Sequence, residues 1–376
     1  MRERAPVLVT RLGNVVLSQF ADIDAAMRHR ALGKGDQTTS THLARLPQEQ
    51  VRQALGRLQR SMLLTNPPDH TRLRRLVSAA FTPRHVERLR GSVGALVDGL
   101  LDELVDQPGA DFVSTVALPL PVTVTCDLLG VPETDRLGFA SLVRDMVEIF
   151  EPFADAETVA RAVVAEGELA EYFTGLLADK RRQPGDDLLS RLVASRAQDA
   201  LDDTEMVATA ILLFAAGFET TVNLLSNGLH ALLTHPEQLA VLRRDPDLVP
   251  GAIEELLRFD PPVHLTSRTA LESCTLVGVE LTPGQMVVVL TAAANRDPAR
   301  FTEPDRLDVT RDEGPNLAFG GGIHFCLGAP LARLEAAEFF ARLLPRFSHI
   351  ELAGPPRRRA GRALRGFAEL PVVVSP

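Results

Sequence analysis

The sequence lacks several features that mark other classes of protein. Only two residues are lysine, Lys34 and Lys180, and no long basic run accompanies the formal net charge of −9, so nucleic-acid binding is not expected. The three cysteines are scattered, which argues against a disulfide framework and fits a reducing compartment. No apolar run reaches the length of a membrane span, and no signal-peptide core follows the first residues. These absences predict a soluble, cytoplasmic protein.

Nucleotide-binding and repeat signatures are also missing. No glycine-rich nucleotide fingerprint follows a predicted strand, so neither a flavin nor a nicotinamide domain is expected. No internal repeat divides the 376 residues, of which 45 % are hydrophobic, enough for a large core. Residues 86–200 are predicted to be mostly helical, with breaks that include Pro119–Pro121 and the Phe150–Phe153 segment.

The most informative stretch runs from residue 317 to residue 333. The glycines Gly320 to Gly322 let the backbone turn tightly and lie close to a flat group. A single cysteine, Cys326, follows them, and a helical pattern of apolar residues begins directly after it. Cys326 is therefore predicted at a helix N-terminus, where the helix dipole and unpaired N–H groups would stabilise a thiolate.

A lone thiolate in this position has several uses, which the residues alone leave open. It could be a nucleophile with His324 as its base, a redox thiol or a metal ligand. A redox site would want a second cysteine nearby and a zinc site more Cys or His at short spacing, but Cys126 and Cys274 are remote in sequence. Haem iron needs only one axial thiolate. An inert cysteine beside a glycine-rich turn is the remaining alternative.

A long apolar segment from Thr204 to His235 is the second informative stretch. It is apolar on nearly all sides, which predicts a buried helix. Its middle reads Ala-Ala-Gly-Phe-Glu-Thr-Thr (215–221). A glycine costs a helix roughly 1 kcal/mol relative to alanine, and a buried Glu219 costs more unless it is paired or near water. Several unfavourable residues together indicate a functional site; the alternative is a packing notch with Glu219 at a surface edge.

The chain resembles the cytochrome P450 family, and the run at residues 319–328 carries the resemblance. Its pattern, Phe-Gly-x-Gly-x-His-x-Cys-x-Gly, is similar to the family's haem-binding signature. The similarity extends from about residue 7 to the C-terminus, with the motifs in family order. The resemblance implies that Cys326 is the proximal ligand of haem b, that His324 reaches a haem propionate and that Phe319 packs near the sulfur.

Three further residues are implied as propionate ligands, and a fourth as a possible pocket residue. His70 and Arg74 share one face of the helix predicted after Asn66-Pro67-Pro68-Asp69. The resemblance implies that this helix binds the haem propionates. Without the resemblance, the pair would indicate only a solvated basic helix face. Arg268, on a strand predicted over residues 263–270, would contact a propionate too. His264 on the same strand would face substrate or be incidental.

The segment 215–221 is similar to the family's oxygen-activation motif. By this resemblance, Ala216 and Gly217 would leave room for the flat cofactor and O2. Thr220 would hydrogen-bond the bound oxygen or an ordered water, and Glu219 would relay protons from solvent.

Other motifs receive structural or gating roles by resemblance. Glu255 and Arg258, completed by Arg311, match the family's Glu-x-x-Arg pair. The Phe150–Phe153 break lies between two helices that form a mobile lid in the family, although an ordinary turn is the alternative. Gly366-Phe367 would form a hairpin tip that reaches the pocket. The N-terminus is shorter than is usual in the family, by a helix that precedes the first strand.

The resemblance implies a mostly α (α+β) protein, one cytochrome P450 domain over residues 1–376, with a long central helix over the haem. It implies a monooxygenase that inserts one oxygen atom from O2 into a lipophilic small molecule, by hydroxylation or epoxidation, in polyketide- or macrolide-like secondary metabolism. Electrons would come from a ferredoxin and its reductase. These would dock around Cys326, where Arg72, Arg75 and Arg333 could attract an acidic partner. A monomer is expected.

Three alternatives remain at this point. The same site could couple phenols or desaturate its substrate. A non-catalytic protein that senses or sequesters a ligand through haem would belong to another class. A hydrolase with Cys326 as nucleophile and His324 as base would bind no haem at all.

Overall fold

The structure, a computed structural model, describes residues 2–39, 43–107, 109–136, 138–194 and 201–375. Its helices are α1 (Phe20–Arg28), α2 (Gln48–Leu55), α3 (Asp69–Ser78), α4 (Pro83–Glu87), α5 (Arg90–Val105), α6 (Pro119–Leu129), α7 (Ala140–Val147), α8 (Ala156–Arg182), α9 (Leu188–Ala194), α10 (Asp203–Leu233), α11 (Pro236–Arg244), α12 (Val249–Phe259), α13 (Thr291–Ala294) and α14 (Ala329–Arg346). Its strands are β1 (Val7–Val9), β2 (Val15–Leu17), β3 (Leu32–Gly33), β4 (Thr266–Ala270), β5 (Cys274–Leu276), β6 (Val279–Leu281), β7 (Met286–Val289), β8 (His349–Leu352), β9 (Arg357–Arg358), β10 (Phe367–Glu369) and β11 (Val372–Ser375).

The predicted long helix is α10, and a capping box explains where it begins. The Asp202 side chain accepts the backbone N–H of Glu205, and the Glu205 side chain accepts that of Asp202. By length and composition α10 could cross a membrane, so the expectation that no apolar run is this long is wrong. However, 83 % of its most apolar window is buried inside the protein, because its apolar sides form the core of the fold.

Helices from several parts of the chain surround α10 and hold it in place, among them α6, α8, α12 and α14. Phe214 and Phe218 lie one turn apart on α10, fully buried, with ring centroids 5.5 Å apart in an edge-to-face arrangement. Phe173 of α8 meets Phe214 in the same way, also at 5.5 Å. This aromatic packing fixes the backbone directly before the 215–221 segment and in its middle.

A five-stranded sheet, in the order β1-β2-β7-β4-β3, packs with α1 around a second, smaller core. β2 and β7 are parallel, and the other neighbouring strands are antiparallel. Arg268 stands in β4 opposite Val287 of β7. Side chains alternate along a strand, and Arg268 shares the buried face with Ala270. The sheet therefore holds a cationic side chain inside the protein.

The break predicted at Pro119–Pro121 is wrong, because both prolines lie in the first turn of α6. The first N–H groups of a helix have no partner within it, so a proline there removes no hydrogen bond. The helix ends where Gly130 adopts a left-handed conformation, with φ of 74°.

One buried carboxyl group has no partner. Glu335 of α14 is 0 % exposed, and neither of its carboxyl oxygen atoms has a hydrogen-bond partner among the residues that the structure describes. Burial raises the pKa of Glu335 well above its ordinary value of 4.5. A carboxyl group with a raised folded-state pKa favours the folded state fully below its unfolded pKa, and this contribution declines as the pH rises above it.

We therefore expect the Glu335→Gln protein to unfold at a higher temperature than the parent at about pH 8, with the difference shrinking towards pH 4.5. Circular dichroism during heating at several pH values measures this. Glu338→Gln is the matched control, because Glu338 lies one turn further on and pairs with Arg90 and Arg342. That variant should lose stability instead. A Glu335→Gln effect that does not change with pH would contradict the assignment.

Candidate active site

The loop that carries Cys326 has the tight turns predicted from its glycines. Gly320 and Gly322 adopt left-handed conformations, with φ of 71° and 66°. A Cβ atom on Gly322 would lie 2.2 Å from the carbonyl oxygen of Met27, so a side chain there would push the loop away from α1. The Cys326 N–H donates to the carbonyl oxygen of Phe319 at 3.0 Å, which closes the loop. α14 begins three residues after the cysteine, as predicted.

The Cys326 thiol is accessible to solvent, yet it lies among enough protein atoms that burial raises its pKa. The backbone N–H groups of Gly328 and Ala329 and the cations Arg74 and Arg333 act in the opposite direction. The helix start therefore lowers the pKa of the thiol, as predicted, but the opposite effect of burial is larger. A thiol in such a place is deprotonated when a metal cation binds it.

Five basic side chains converge beside this loop. α3 supplies His70 and Arg74, β4 supplies Arg268, the loop supplies His324, and Lys34 follows β3. The rings of His70 and His324 have centroids 4.4 Å apart. The guanidinium of Arg74 donates to a backbone carbonyl of the loop at 2.8 Å. We call these five residues the cationic cluster.

The cationic cluster has more positive charge than its own surroundings balance. Burial, followed by the charges of Lys34, Arg268, His70 and Arg74, lowers the pKa of His324 to about 2. Burial and the charge of Arg268 lower the pKa of Lys34 to about 7. For both groups, every charged neighbour that shifts the pKa is another cation. The Nε2 atoms of His70 and His324 are buried and have no hydrogen-bond partner in the described part of the chain.

Lys34 is the member of the cluster that sequence analysis missed. Its backbone is held by the Asn66 side chain, which accepts the Lys34 N–H at 2.8 Å and donates to its carbonyl oxygen at 2.7 Å. A Cβ atom on Gly33 would lie 2.3 Å from Asn66, and one on Gly35 would lie 2.5 Å from Thr269. The sequence does contain a signal that could have identified Lys34: it stands between two glycines, in a chain that has only two lysines.

One face of α10 is open in the 215–221 segment. Ala216 is exposed and Thr220 is partly exposed, although Phe218, Glu219 and Thr221 around them are buried. Residues four apart share a face of a helix, so the accessible surface is a narrow stripe. The Thr220 hydroxyl donates to the Ala216 carbonyl oxygen at 3.2 Å.

Gly217 is placed differently from the expectation. A Cβ atom on this residue would lie 2.5 Å from the hydroxyl oxygen of Thr125 on α6. The structure thus gives helix packing as the reason for a glycine here, because any side chain would separate α10 from α6. Clearance for a flat cofactor remains the explanation for Ala216 alone.

Glu219 is buried and paired, and does not lie at a surface edge. Its exposed fraction is 3 %. Arg359, between β9 and β10, forms an ion pair with one carboxylate oxygen, and the Nε atom of Arg144 on α7 lies 3.8 Å from the other. Burial raises the pKa of Glu219 even though both arginines act to lower it.

The loop after α7, where a lid or a turn was predicted, is tied to the hairpin β9–β10. The Glu151 carboxylate accepts three consecutive backbone N–H groups, from Arg362, Ala363 and Leu364, at 2.6, 2.9 and 3.0 Å. The next part of the loop is open, and Phe153 is 81 % exposed. The tip of the hairpin is therefore this 361–364 segment.

The expectation that Gly366-Phe367 forms the hairpin tip is wrong. Phe367 begins β10 and is 1 % exposed, with its ring 4.8 Å from that of His230 between centroids. Gly366 lies against the Asn223 side chain of α10, where a Cβ atom would clash. These residues attach the hairpin to α10 instead of reaching into a pocket.

A family model decides the identity. The model described as Cytochrome P450 matches residues 21–364 of this chain. The chain belongs to the cytochrome P450 family. It is an oxidoreductase of that family, and haem b is its cofactor.

Known cytochromes P450 are similar to this one in sequence and in fold. Cytochrome P450 monooxygenase PikC of Streptomyces venezuelae is 43 % identical over 328 residues, which cover 85 % of this chain and 77 % of that protein. The structure of P450BioI in complex with an acyl carrier protein that bears hexadec-9Z-enoic acid matches with a TM-score of 0.91 and 34 % identity, over 99 % of this chain and 96 % of that one. The cytochrome P450 PksS of the Bacillus subtilis bacillaene polyketide synthase matches with a TM-score of 0.88 and 35 % identity, over 100 % and 95 %. The predicted mostly α fold is confirmed.

The residues of this cytochrome P450 fit haem b on physical grounds. A cluster of basic side chains, of which His70 and Arg268 are buried, with two unpartnered imidazole nitrogen atoms suits the carboxylates of the propionates. Cys326 offers one thiol, and the three glycines before it form a stretch of loop that carries no side chains. The open stripe of α10 at Ala216 leaves space beside a flat group.

The other uses of Cys326 find no support in the geometry. His324 packs against His70, and a pKa of about 2 makes it a poor base for a nucleophilic thiol. In the part of the chain that the structure describes, no three His, Cys, Asp or Glu side chains are grouped closely enough to hold a metal ion, so no zinc ligand set is present there.

The Glu-x-x-Arg pair is a buried ion pair with the predicted third member. Arg258 of α12 donates to Glu255 at 2.6 and 2.9 Å, and the Nε atom of Arg311 lies 3.2 Å from the same carboxylate. Arg258 also donates to the backbone carbonyl oxygens of Asn295 and Pro304. These contacts tie α12 to the segment that leads into the Cys326 loop, in agreement with a structural role.

Arg72 does not contribute a free charge to a docking face. Its guanidinium binds the Glu205 carboxylate at 2.5 and 3.0 Å, which joins α3 to the start of α10. Arg333 is more exposed, but it donates to Glu254 at 2.5 Å, and its guanidinium lies 4.5 Å from the Phe319 ring centroid. Both residues hold elements of the site in position.

Proposed function

We propose that this cytochrome P450 inserts one oxygen atom from O2 into a lipophilic small molecule, by hydroxylation or epoxidation, and that the other oxygen atom leaves as water. The observation that carries the proposal is the open stripe of α10, where Ala216 and Thr220 are accessible and a buried, ion-paired Glu219 lies directly beside them. A hydroxyl and a carboxyl group in this position can deliver protons to bound O2.

Cys326 and the cationic cluster are proposed to hold the cofactor. When bound, haem b would supply the activation of O2, and a cysteine thiolate on its iron would favour cleavage of the O–O bond. Cys326 provides that thiolate. His70, Arg74, Arg268 and Lys34, together with His324, bind the propionates through charge-assisted hydrogen bonds. This role explains why so many cations are collected without carboxylates of their own.

Thr220 and Glu219 are proposed to manage protons. Thr220 presents its hydroxyl on the accessible stripe and can hold a proton-donating water there. Glu219 lies behind it, and Arg359 and Arg144 hold its carboxylate. Because burial raises the pKa of Glu219, its proton exchange moves closer to neutral pH. Release from one arginine would let it carry a proton inwards.

We expect Thr220→Ala to uncouple reduction from oxidation. Consumption of NAD(P)H should continue, while the share that appears as product falls about tenfold, the effect of losing one hydrogen bond to a charged group. Product formed per NAD(P)H consumed measures this. Thr221→Ala is the matched control, because Thr221 is buried on the same helix and does not belong to the stripe. Native coupling in Thr220→Ala would refute the proposed role.

The substrate is proposed to be polyketide- or macrolide-like, in secondary metabolism. Support comes from the similarity to PksS of a polyketide synthase and to P450BioI, which was solved with an acyl carrier protein. Titration of the haem absorption spectrum with a panel of free compounds and acyl carrier thioesters would find the class that displaces water from the iron. Turnover under isotopically labelled O2 then tests the reaction: one labelled atom in the product supports oxygen insertion, and an unlabelled product rejects it.

The Glu151 contact is proposed to hold a lid closed over the substrate. We expect Glu151→Ala to speed substrate dissociation about tenfold or more, because three backbone N–H groups lose a charged acceptor. Stopped-flow measurement of the haem spectral change gives the rate. Glu148→Ala removes a carboxylate from the same region that pairs with Arg161 and does not bind the hairpin, and should leave the dissociation rate unchanged. Equal rates in both variants would mean that the loop is an ordinary turn.

Electrons are proposed to come from a ferredoxin and its reductase in the cytoplasm, to a monomeric enzyme. Ile323 and Phe325 of the Cys326 loop are 49 % and 41 % exposed and offer an apolar contact for the electron donor. The burial of α10 and the three unpaired cysteines support a cytoplasmic location.

A further inference from the structure

A cavity of about 330 Å³ lies where the end of α10, the end of α12 and the hairpin β9–β10 meet. Its polar lining consists of His230, Thr234, Asp260, His264, Arg296, Arg358 and Arg365. We call it the arginine pocket. None of the residues proposed to bind the cofactor or to move protons lines it, so it is separate from the active site.

The arginine pocket carries an excess of positive charge. Three guanidinium groups face a single lining carboxylate, that of Asp260. Arg358 lies 2.9 Å from one oxygen of Asp260, and Arg365 lies 3.4 Å from the other. Arg296 pairs at 3.0 Å with Asp305, whose side chain is 82 % exposed at the surface. The partly buried carboxylate of Asp260 and the exposed carboxylate of Asp305 therefore balance the charge of three arginines.

Two of these arginines are held rigidly by aromatic rings. The Arg296 guanidinium lies 3.8 Å from the centroid of the Phe259 ring, and that of Arg358 lies 4.0 Å from the centroid of the Phe367 ring. Burial lowers the pKa of both guanidinium groups, although each has an aspartate partner. Planar donors fixed in advance lose little entropy when they bind a planar or tetrahedral oxyanion.

The remaining walls of the arginine pocket are apolar. Phe259, Pro261, Ala231 and Ala292 line it, and its volume is at the lower end of the range for small-molecule sites. A bare inorganic ion would leave these walls uncovered. We propose that the arginine pocket binds a small organic anion, whose carboxylate or phosphate contacts the guanidinium groups of Arg365, Arg358 and Arg296 and whose apolar body covers Phe259 and Ala292.

Isothermal titration of the haem-loaded protein with two probes, benzoate and inorganic phosphate, tests this at constant ionic strength set with sodium chloride. Saturable binding of either probe is expected, without a change in the haem absorption spectrum. Tighter binding of benzoate indicates a carboxylate with an apolar body, and tighter binding of phosphate indicates a phosphate ester. No saturable binding of either, or binding that shifts the haem spectrum, overturns the proposal.

Three variants locate the binding. Arg365→Gln removes the most exposed of the three charges and should raise the dissociation constant about tenfold. Ala292→Leu keeps all three arginines but fills the cavity, and should weaken binding at least as much. Arg357→Gln is the matched control, since Arg357 lies on the same hairpin outside the lining and pairs with Glu369 at the surface; it should bind normally. Native affinity in Ala292→Leu would mean that the anion binds outside the cavity, and would overturn the assignment.

Discussion

Replacing Cys326 with alanine is expected to abolish turnover and to remove the thiolate-type absorption band of the reduced carbonyl complex. Loss of a group that only supports a metal ligand typically costs 10–100-fold in affinity or activity, so loss of the ligand itself should exceed about a hundredfold. The loop should persist, because the bond between the N–H of residue 326 and the Phe319 carbonyl oxygen and the turns at Gly320 and Gly322 do not involve the thiol. Product formation and the carbonyl difference spectrum measure the two effects.

Cys274→Ala is the matched control for this experiment. Cys274 lies in β5, and its half-buried thiol has no part in the proposed site. That variant should keep the native spectrum and the native rate. A Cys326→Ala protein that retained the thiolate spectrum would disprove the ligand assignment, whereas a protein with bound haem, an altered spectrum and no turnover would agree with it.

Replacing Glu219 with glutamine is expected to lower the rate of product formation by about 10²–10⁴-fold, the usual contribution of a positioned acid or base. Glutamine keeps the size of the side chain and can still accept a hydrogen bond from Arg359, but it has no proton to exchange. The rate in deuterated solvent should also fall further than it does for the parent, because proton delivery becomes the slow step. Single-turnover product formation in both solvents measures this.

Two comparisons separate this role of Glu219 from a structural one. Glu219→Asp retains a carboxyl group and should recover much of the lost rate. The unfolding temperature of Glu219→Gln should remain close to that of Glu219→Asp, since both weaken the contacts with Arg359 and Arg144. A glutamine variant that turned over at the native rate would show that protons reach the site by another route.

The Cys326 loop and the α10 segment could be predicted because their chemistry is local. A glycine turn, a cysteine and a helix start occupy ten neighbouring residues, and short-range rules describe all three. In the same way, several residues that are unfavourable inside an apolar helix were enough to single out the 215–221 segment from the sequence. The buried Glu219 was identified as well, but its partners were not, because Arg359 is 140 residues away and joins through the packing of a hairpin on α10.

Errors arose where a local signal had a tertiary explanation. Gly217 is required by Thr125 of α6, which no pattern within α10 could indicate. The sequence alone predicts that Arg72 is a free surface charge. In the structure its guanidinium binds the carboxylate of Glu205, which lies 133 residues further along the chain. The prolines at the start of α6 predict a break from the sequence alone, because a helix start and a break use the same residues and only the backbone hydrogen bonds distinguish them.

By itself, the sequence determined the family and the cofactor, and it supplied the residues proposed for the site, since the motif spacings reflect chemistry within single turns and loops. Only the tertiary structure decided which cations share one cluster. Lys34, His70, Arg268 and His324 come from four separate segments, and the pairing of β3 with β4 and the docking of α3 on the loop bring them within reach of one another. The tertiary structure also decided that the arginine pocket exists, because Asp260 after α12, Arg296 after α13 and the arginines of the hairpin meet only when the long-range contacts form. Such contacts depend on burial and packing across the whole chain, which local residue patterns do not encode.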